Sequence, residues 1–394
     1  MRRRDLLASS LAWFSALAGF PDAQAFAFTK GTYSSKTLQA SAFSSPAVTV
    51  STDSTREATR ESTSTTANVL FQDLSLSMEE FNTNIPVACW WPQSTGNTDE
   101  SLQTPTLLSA SYAHRISVQR IGQLLAQWNF IPSFASRNFE LQPSLEKRVY
   151  KANLEFWKGP VVVLAHGYLG SRFDLSHLAE RLAQEGFLCL APEYPESLAA
   201  SYERLPGLDR SMINNKLLDQ LKEEWKIEAK SFGIVGHSLG TGTALNTGDE
   251  TWARVCLAGF PRQRDGSSIA GNLLLICSMN DGAVSLQRFG GKSVIPADYA
   301  LLSEESLGDA NMLLPSRSAL VLESSSAPNH ISFLSAGVND AMIDLLSPLL
   351  PVAQWANIPV LDFDKYQTSR DAVPTAALLH PIIIRYLKQE MKVA

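Results

Sequence analysis

The stretch Ser231–Leu245, SFGIVGHSLGTGTAL, sets one serine, Ser238, among three glycines, Gly236, Gly240 and Gly242. The residues before it form a short apolar run of strand character, and those after it open a helix despite their glycines. A strand that turns directly into a helix crowds the positions two before and two after the turn, so only small residues fit there. Gly-x-Ser-x-Gly meets that demand and holds the serine in a strained conformation with its hydroxyl exposed. It also leaves the backbone N–H of Leu239 at a helix N-terminus, where negative charge is stabilised. Gly242 is expected to let the new helix pack closely on the strand. The same letters could equally describe a flexible loop that happens to hold a serine, so the surrounding sequence must decide.

From Pro160 onward the chain alternates between two kinds of segment. PVVVLAHG, FLCLAPEY, RVCLAGF, GNLLLICS and SALVLESS are short apolar runs, like the one before Ser238, and read as strands buried on both faces. Between them, FDLSHLAERLAQEG carries Leu175, Leu178, Ala179, Leu182 and Ala183 on one helical face, stopped by Gly186. SMINNKLLDQLKEEW and the closing PTAALLHPIIIRYLKQ also read as helices, the last kinked or divided by Pro381. This alternation predicts an α/β fold: a mostly parallel central sheet with helices on both faces. Functional groups in such sheets sit just past the carboxyl ends of the strands.

Those ends carry a consistent set of groups. Ser238 ends one strand. His166-Gly167 ends another, and the backbone N–H of Tyr168 that follows pairs with that of Leu239 as a candidate oxyanion hole. A serine hydroxyl needs a base, and the base needs a carboxylate to orient it. Asp281 follows GNLLLICS and His330 follows SALVLESS, which gives the order Ser238, Asp281, His330. Of the six histidines, His330 alone sits in a loop after a late strand. His177 and His380 fall on helices, His114 precedes the core, and His166 and His237 belong to the turns.

Other chemistries find little support. GGKS at 290–293 lacks the earlier glycine of a phosphate-binding loop, since Leu286 stands there, and no strand precedes it. Leu245 occupies the place of the third glycine in a dinucleotide fingerprint. Cys89, Cys189, Cys256 and Cys277 each lie in an apolar run without paired spacing, so buried thiols are expected rather than a metal site or disulfide framework. A net charge of −6 gives no footprint for nucleic acid. No cofactor and no metal is expected.

The N-terminus, MRRRDLLASSLAWFSALAGFPDAQA, has the basic, apolar and small-residue parts of a signal peptide over residues 1–25, with a twin-arginine resemblance at Arg3-Arg4. Residues 26–67 are rich in serine and threonine, with no acidic residue before Asp53, and read as a linker or a plastid-transit-like segment. Export from the cytosol is expected, to a complex plastid or to a secreted or periplasmic destination. The folded domain is expected over residues 68–394.

Taken together, these residues resemble the α/β-hydrolase superfamily from about Asn84 to the C-terminus. Within it, VACWWP, IPSFASRNFELQPSLEKRVYKANLEF, VVVLAHGYLGSRFDLSHLAERLAQEGF and NHISF are similar to platelet-activating-factor acetylhydrolases and dienelactone-hydrolase-like proteins. HGYL…EGFLCLAPEY is similar to chlorophyllases as well, although their elbow resembles GHSRG where this chain has Leu239. The resemblance implies Ser238 as nucleophile, His330 as base and the Tyr168 and Leu239 backbones as the oxyanion hole. Both families place the acid one strand earlier, near Gly259, where Asp265 is the nearby carboxylate; Asp281 is the position used by most other α/β hydrolases.

The expected function is a serine hydrolase that cleaves carboxylic esters of acyl-lipid type through an acyl-enzyme. The alternatives are a chlorophyllase-like plastid esterase and a hydrolase-fold binding protein without catalysis. The partner is a small-molecule or lipid ester, and transient contact with a membrane or lipid surface is compatible with that substrate. Segments 104–158 and 282–318 are expected to form pocket walls or a lid. The apolar stretch 345–361 lines an acyl pocket or belongs to the core.

Overall fold

The computed structural model describes residues 68–93, 108–125, 136–145, 148–154, 157–260, 271–284, 286–287, 290–308, 312–346 and 371–393. The expected leader and Ser/Thr-rich segment, Asp265, and most of the apolar stretch 345–361 lie outside the described residues. Ala67–Ala394 forms one compact unit.

In chain order its strands are β1 (Val69–Met78), β2 (Thr83–Pro92), β3 (Leu108–Ser109), β4 (Tyr112–Ser117), β5 (Ser136–Leu141), β6 (Val149–Lys151), β7 (Val161–Ala165), β8 (Leu188–Pro192), β9 (Phe232–His237), β10 (Ala253–Leu257), β11 (Asn272–Ser278), β12 (Ala300–Leu302) and β13 (Arg317–Leu322). Its helices are α1 (Val118–Leu125), α2 (Ser176–Gln184), α3 (Arg210–Glu223), α4 (Leu239–Asn246), α5 (Ala336–Leu346) and α6 (Ala372–Met391).

One sheet runs in the order β12-β13-β11-β10-β9-β7-β8-β2-β1-β6-β3, and β4 pairs separately with β5. From β12 to β8 every neighbour is parallel; β2 joins antiparallel to β8 and forms an antiparallel pair with β1. Parallel neighbours require crossovers, and α2, α3 and α4 supply those from β7 to β8, β8 to β9 and β9 to β10. The strands β7, β8 and β10 are buried on both faces. Along β7, Val162 and Leu164 join the core made with α2 and α6, while Val161, Val163 and Ala165 join the core made with α3 and α4. This alternation explains the unbroken apolar run of that strand: each residue faces one core or the other. The order, with the serine elbow at the end of the central β9, is the α/β-hydrolase fold.

Pro381 does not divide the last helix; Ala372–Met391 is continuous. A proline inside a helix forfeits one backbone hydrogen bond. Here His380, Ile382, Ile383, Ile384, Tyr386 and Leu387 are all buried around it, and their packing outweighs the local defect. The four cysteines are buried, free thiols, and burial pushes Cys277 up to about 12.

Segment 104–158 contains β3, the excursion β4–α1–β5, and β6. The excursion docks on α2 and on the loops that follow β7 and β8. Tyr112 Oη donates to Glu180 at 2.7 Å, His114 Nδ1 lies 2.8 Å from Ser171 Oγ, and the Ser117 N–H donates to the Leu198 carbonyl at 2.9 Å. Segment 282–318 holds short turns and the edge strand β12 in its described part.

Candidate active site

The turn after β9 has the strain its sequence implies. Ser238 sits at φ 55°, ψ −116°, a region that costs a residue with a side chain about 1–3 kcal/mol. The two flanking glycines have steric causes. A Cβ on Gly236 would strike the Gly240 carbonyl, and one on Gly240 would strike the Ala165 carbonyl at the end of β7. Gly242 is different. A Cβ there would meet nothing within 4 Å, so the close packing expected of it is not found.

Ser238, His330 and Asp281 come together although 92 and 49 residues separate the successive pairs. His330 Nε2 is 2.9 Å from Ser238 Oγ, and His330 Nδ1 is 2.8 Å from Asp281 Oδ2. Because a carboxylate oxygen accepts, Nδ1 carries the imidazole proton and Nε2 faces the serine hydroxyl as the acceptor. The other carboxylate oxygen, Oδ1, accepts the backbone N–H groups of Ala283 at 2.9 Å and Val284 at 2.7 Å. Asp281 is fully buried and fixed at both ends.

The loops bearing Asp281 and His330 are also tied to each other. Asn280 donates to the carbonyls of Ser325 at 3.1 Å and Ala327 at 3.0 Å, and Ser278 Oγ donates to that of Pro328. On the far side of His330, Asn329 Oδ1 accepts from the N–H groups of Ile331 at 3.0 Å and Ser332 at 2.9 Å. Asn280 and Asn329 escaped the sequence reading. Their signal was present, since each asparagine adjoins a candidate residue in a turn, where its amide can bond the local backbone.

One strand earlier, Gly259 lies close against the elbow. A Cβ on Gly259 would run into the Thr241 side chain and approach the Ser238 carbonyl. Asp265, farther along, lies outside the described residues.

Leu239 is the first residue of α4, so its N–H has no acceptor within the helix. The loop after β7 runs beside it: a Cβ on Gly167 would lie 3.1 Å from Ser238 Cβ, which sets the Gly167–Tyr168 peptide against the elbow. His166 shapes this loop. Its Nε2 accepts the Tyr194 N–H at 2.9 Å, so Nδ1 carries the proton and donates to the Gly167 carbonyl at 2.8 Å. Burial, reinforced by the Arg210 charge, holds His166 well below the ordinary histidine range and therefore neutral.

An apolar wall stands next to this loop. Tyr168 and Leu169 pack with Ile116 and Leu124 of the excursion and with Met342 and Leu345 of α5. The Tyr168 hydroxyl donates to the Leu124 carbonyl at 2.9 Å, tying α1 to the loop after β7. Among the described residues, no three side chains suited to ligating a metal come together.

No protein-family model matches the sequence, and no curated protein matches it. Several solved structures resemble it. A ferulic acid esterase from Streptomyces cinnamoneus is 14% identical, with a TM-score of 0.42, over 83% of this chain and 91% of that one. A dienelactone hydrolase from Anabaena variabilis is 16% identical, with a TM-score of 0.35, over 71% of this chain and 95% of that one. The Pyrococcus furiosus esterase Pf2001 is 13% identical, with a TM-score of 0.33, over 71% of this chain and 90% of that one.

Proposed function

We propose that this chain is a serine hydrolase that cleaves carboxylic esters through an acyl-enzyme. The observation that carries this reading is the line from Ser238 Oγ to His330 at 2.9 Å and from His330 to Asp281 at 2.8 Å. His330 Nε2 takes the serine proton as Oγ attacks the ester carbonyl, and Asp281 stabilises the imidazolium that forms. The carbonyl oxygen, now negative, rests against the N–H groups of Tyr168 and Leu239, each worth roughly 3 kcal/mol to the transition state. His330 then returns its proton to the leaving alcohol, the carbon–oxygen bond breaks, and an acyl-enzyme remains. A water that gives up a proton to His330 releases the acid by the same path reversed.

The substrate in this reading is an ester of acyl-lipid type, as in the platelet-activating-factor acetylhydrolases that the sequence resembles. The apolar wall of α1, Tyr168, Leu169 and α5 supports it, because an acyl chain held by Ser238 has an apolar surface close by. Export from the cytosol, on the strength of the leader-like residues 1–25, belongs to the same proposal. Turnover of p-nitrophenyl esters of rising chain length tests the reading. Hydrolysis that disappears in Ser238→Ala is expected, with medium chains preferred over acetate; hydrolysis that persists in the variant contradicts it.

A further inference from the structure

A partly buried arginine from α3 reaches both arms of the candidate oxyanion site. Arg210 Nη1 donates to the His166 carbonyl at 2.8 Å and to Thr243 Oγ1 on α4 at 3.2 Å, and Nη2 donates to the Gly167 carbonyl at 3.3 Å. Its Nε meets Glu196 Oε2 at 3.1 Å, and its guanidinium lies 4.3 Å from the centre of the Tyr194 ring. The side chain is 11% exposed, so these contacts are little diluted by water.

The Gly167 carbonyl matters because of the peptide unit it belongs to. A peptide is planar, and in its trans form the carbonyl and the following N–H point in opposite directions. The N–H on this plane is that of Tyr168. Three donors hold the oxygen: His166 Nδ1 at 2.8 Å, Arg210 Nη2 at 3.3 Å and the Gly170 N–H at 3.3 Å. Fixing the oxygen fixes the opposite N–H, on a peptide that lies against Ser238. A donor at the carbonyl, above all a charged one, also polarises the amide and makes its N–H the stronger donor. Through Thr243 the same guanidinium grips the helix whose first N–H is that of Leu239, so it sets the spacing of the two donors.

We infer that Arg210 is a positioning residue of the oxyanion site, which aims and polarises the Tyr168 N–H through the carbonyl of its own peptide. The inference rests on the proposed role of the Tyr168 and Leu239 N–H groups. Only a planar fork can serve two carbonyls, a hydroxyl and a carboxylate at once, so lysine cannot replace it in full.

The test uses the full chain with Arg210→Met and Arg210→Lys. For each variant it records the unfolding temperature, kcat and KM on a p-nitrophenyl ester, and the affinity for a trifluoromethyl ketone, whose serine adduct places an oxyanion in the site. Arg210→Met is expected to lose about tenfold to a hundredfold in kcat with KM within threefold. Trifluoromethyl ketone affinity should fall by a similar factor, with Arg210→Lys between Met and the wild type. A third variant, Arg210→Ala, should lose kcat as Arg210→Met does and regain part of it with added guanidinium, which supports the positioning role. A folded Arg210→Lys or Arg210→Met with kcat within twofold of the wild type overturns the inference. So does a kcat loss that leaves trifluoromethyl ketone affinity unchanged. Failure of the hydrolase reading is separately visible, as a wild-type protein whose Ser238 takes no fluorophosphonate label, and it overturns the inference with it.

Discussion

His237 donates its Nε2 proton to the backbone carbonyl of His330, 2.9 Å away, so the residue before the elbow serine grips the chain segment that carries the imidazole facing that serine. A carbonyl only accepts, which fixes the tautomer and leaves His237 Nδ1 buried without a hydrogen-bond partner among the described residues. Burial and the neighbouring His330 push His237 down to about 3, so it stays neutral wherever the protein would work. His237→Leu should leave the His330 carbonyl unpaired, costing about 1–3 kcal/mol of stability and lowering kcat about tenfold as the imidazole drifts. His237→Gln, which keeps a donor, should recover much of both. Thermal unfolding and steady-state kinetics on the pair decide it, and equal behaviour of Leu and Gln would argue against the grip.

The three elbow glycines should part company on mutation. Gly236→Ala and Gly240→Ala force a Cβ into backbone carbonyls and are expected to destabilise the fold by several kcal/mol. Gly242→Ala enters open space within a helix and should be neutral or stabilise by up to about 1 kcal/mol. Denaturant midpoints of the three variants provide the comparison.

The choice of acid can be read from two asparagine substitutions. Asp281→Asn should keep the fold and lower kcat on the order of 10⁴-fold, because the imidazole loses the partner that holds its tautomer. Asp265→Asn should leave kcat within about twofold of the wild type. The reverse pattern would move the acid to the earlier strand.

A buried carboxyl gives the stability a pH signature. Glu180 takes hydrogen bonds from Tyr112 Oη and from the Ser144 N–H and hydroxyl, yet burial raises it from 4.5 to about 7. Its unfolded pKa is the lower one, so the folded state holds the extra proton between the two values. Its contribution to stability is complete below about pH 4.5 and is lost as pH rises to about 7, with no further change above. Relative to Glu180→Gln, the wild-type unfolding temperature should therefore decline by a few degrees between pH 4.5 and 7.5. Taking the difference cancels the buried histidines, which act in the opposite sense. A gap that does not change with pH would show that the carboxyl ionises as freely in the fold as outside it.

Much of the sheet was legible because β7 to β11 and β13 are buried on both faces and so appear as apolar runs. β4 was not, because its inward row of Tyr112, His114 and Ile116 includes a histidine paired with Ser171, which breaks the apolar alternation. Ser238, Asp281 and His330, which the fold brings together, could be picked out because each follows the end of a strand. Arg210 was hidden by distance: the groups it holds at the elbow and the β7 loop, Thr243, Gly167 and His166, lie 33 to 44 residues away along the chain. A faint signal existed, since a basic residue in the first turn, directly after the Asp209 cap, opposes the helix dipole and calls for another cause. Gly242 misled because its neighbours in sequence both had steric reasons that it lacks.

The central claim is that Ser238 is a nucleophile activated by His330. Treatment of the full chain with a fluorophosphonate, followed by peptide mapping, tests it most directly. The account predicts one adduct on Ser238, none in Ser238→Ala, and labelling slowed at least a hundredfold in His330→Gln. An unlabelled wild-type protein, or equal labelling rates with and without the His330 imidazole, would contradict it.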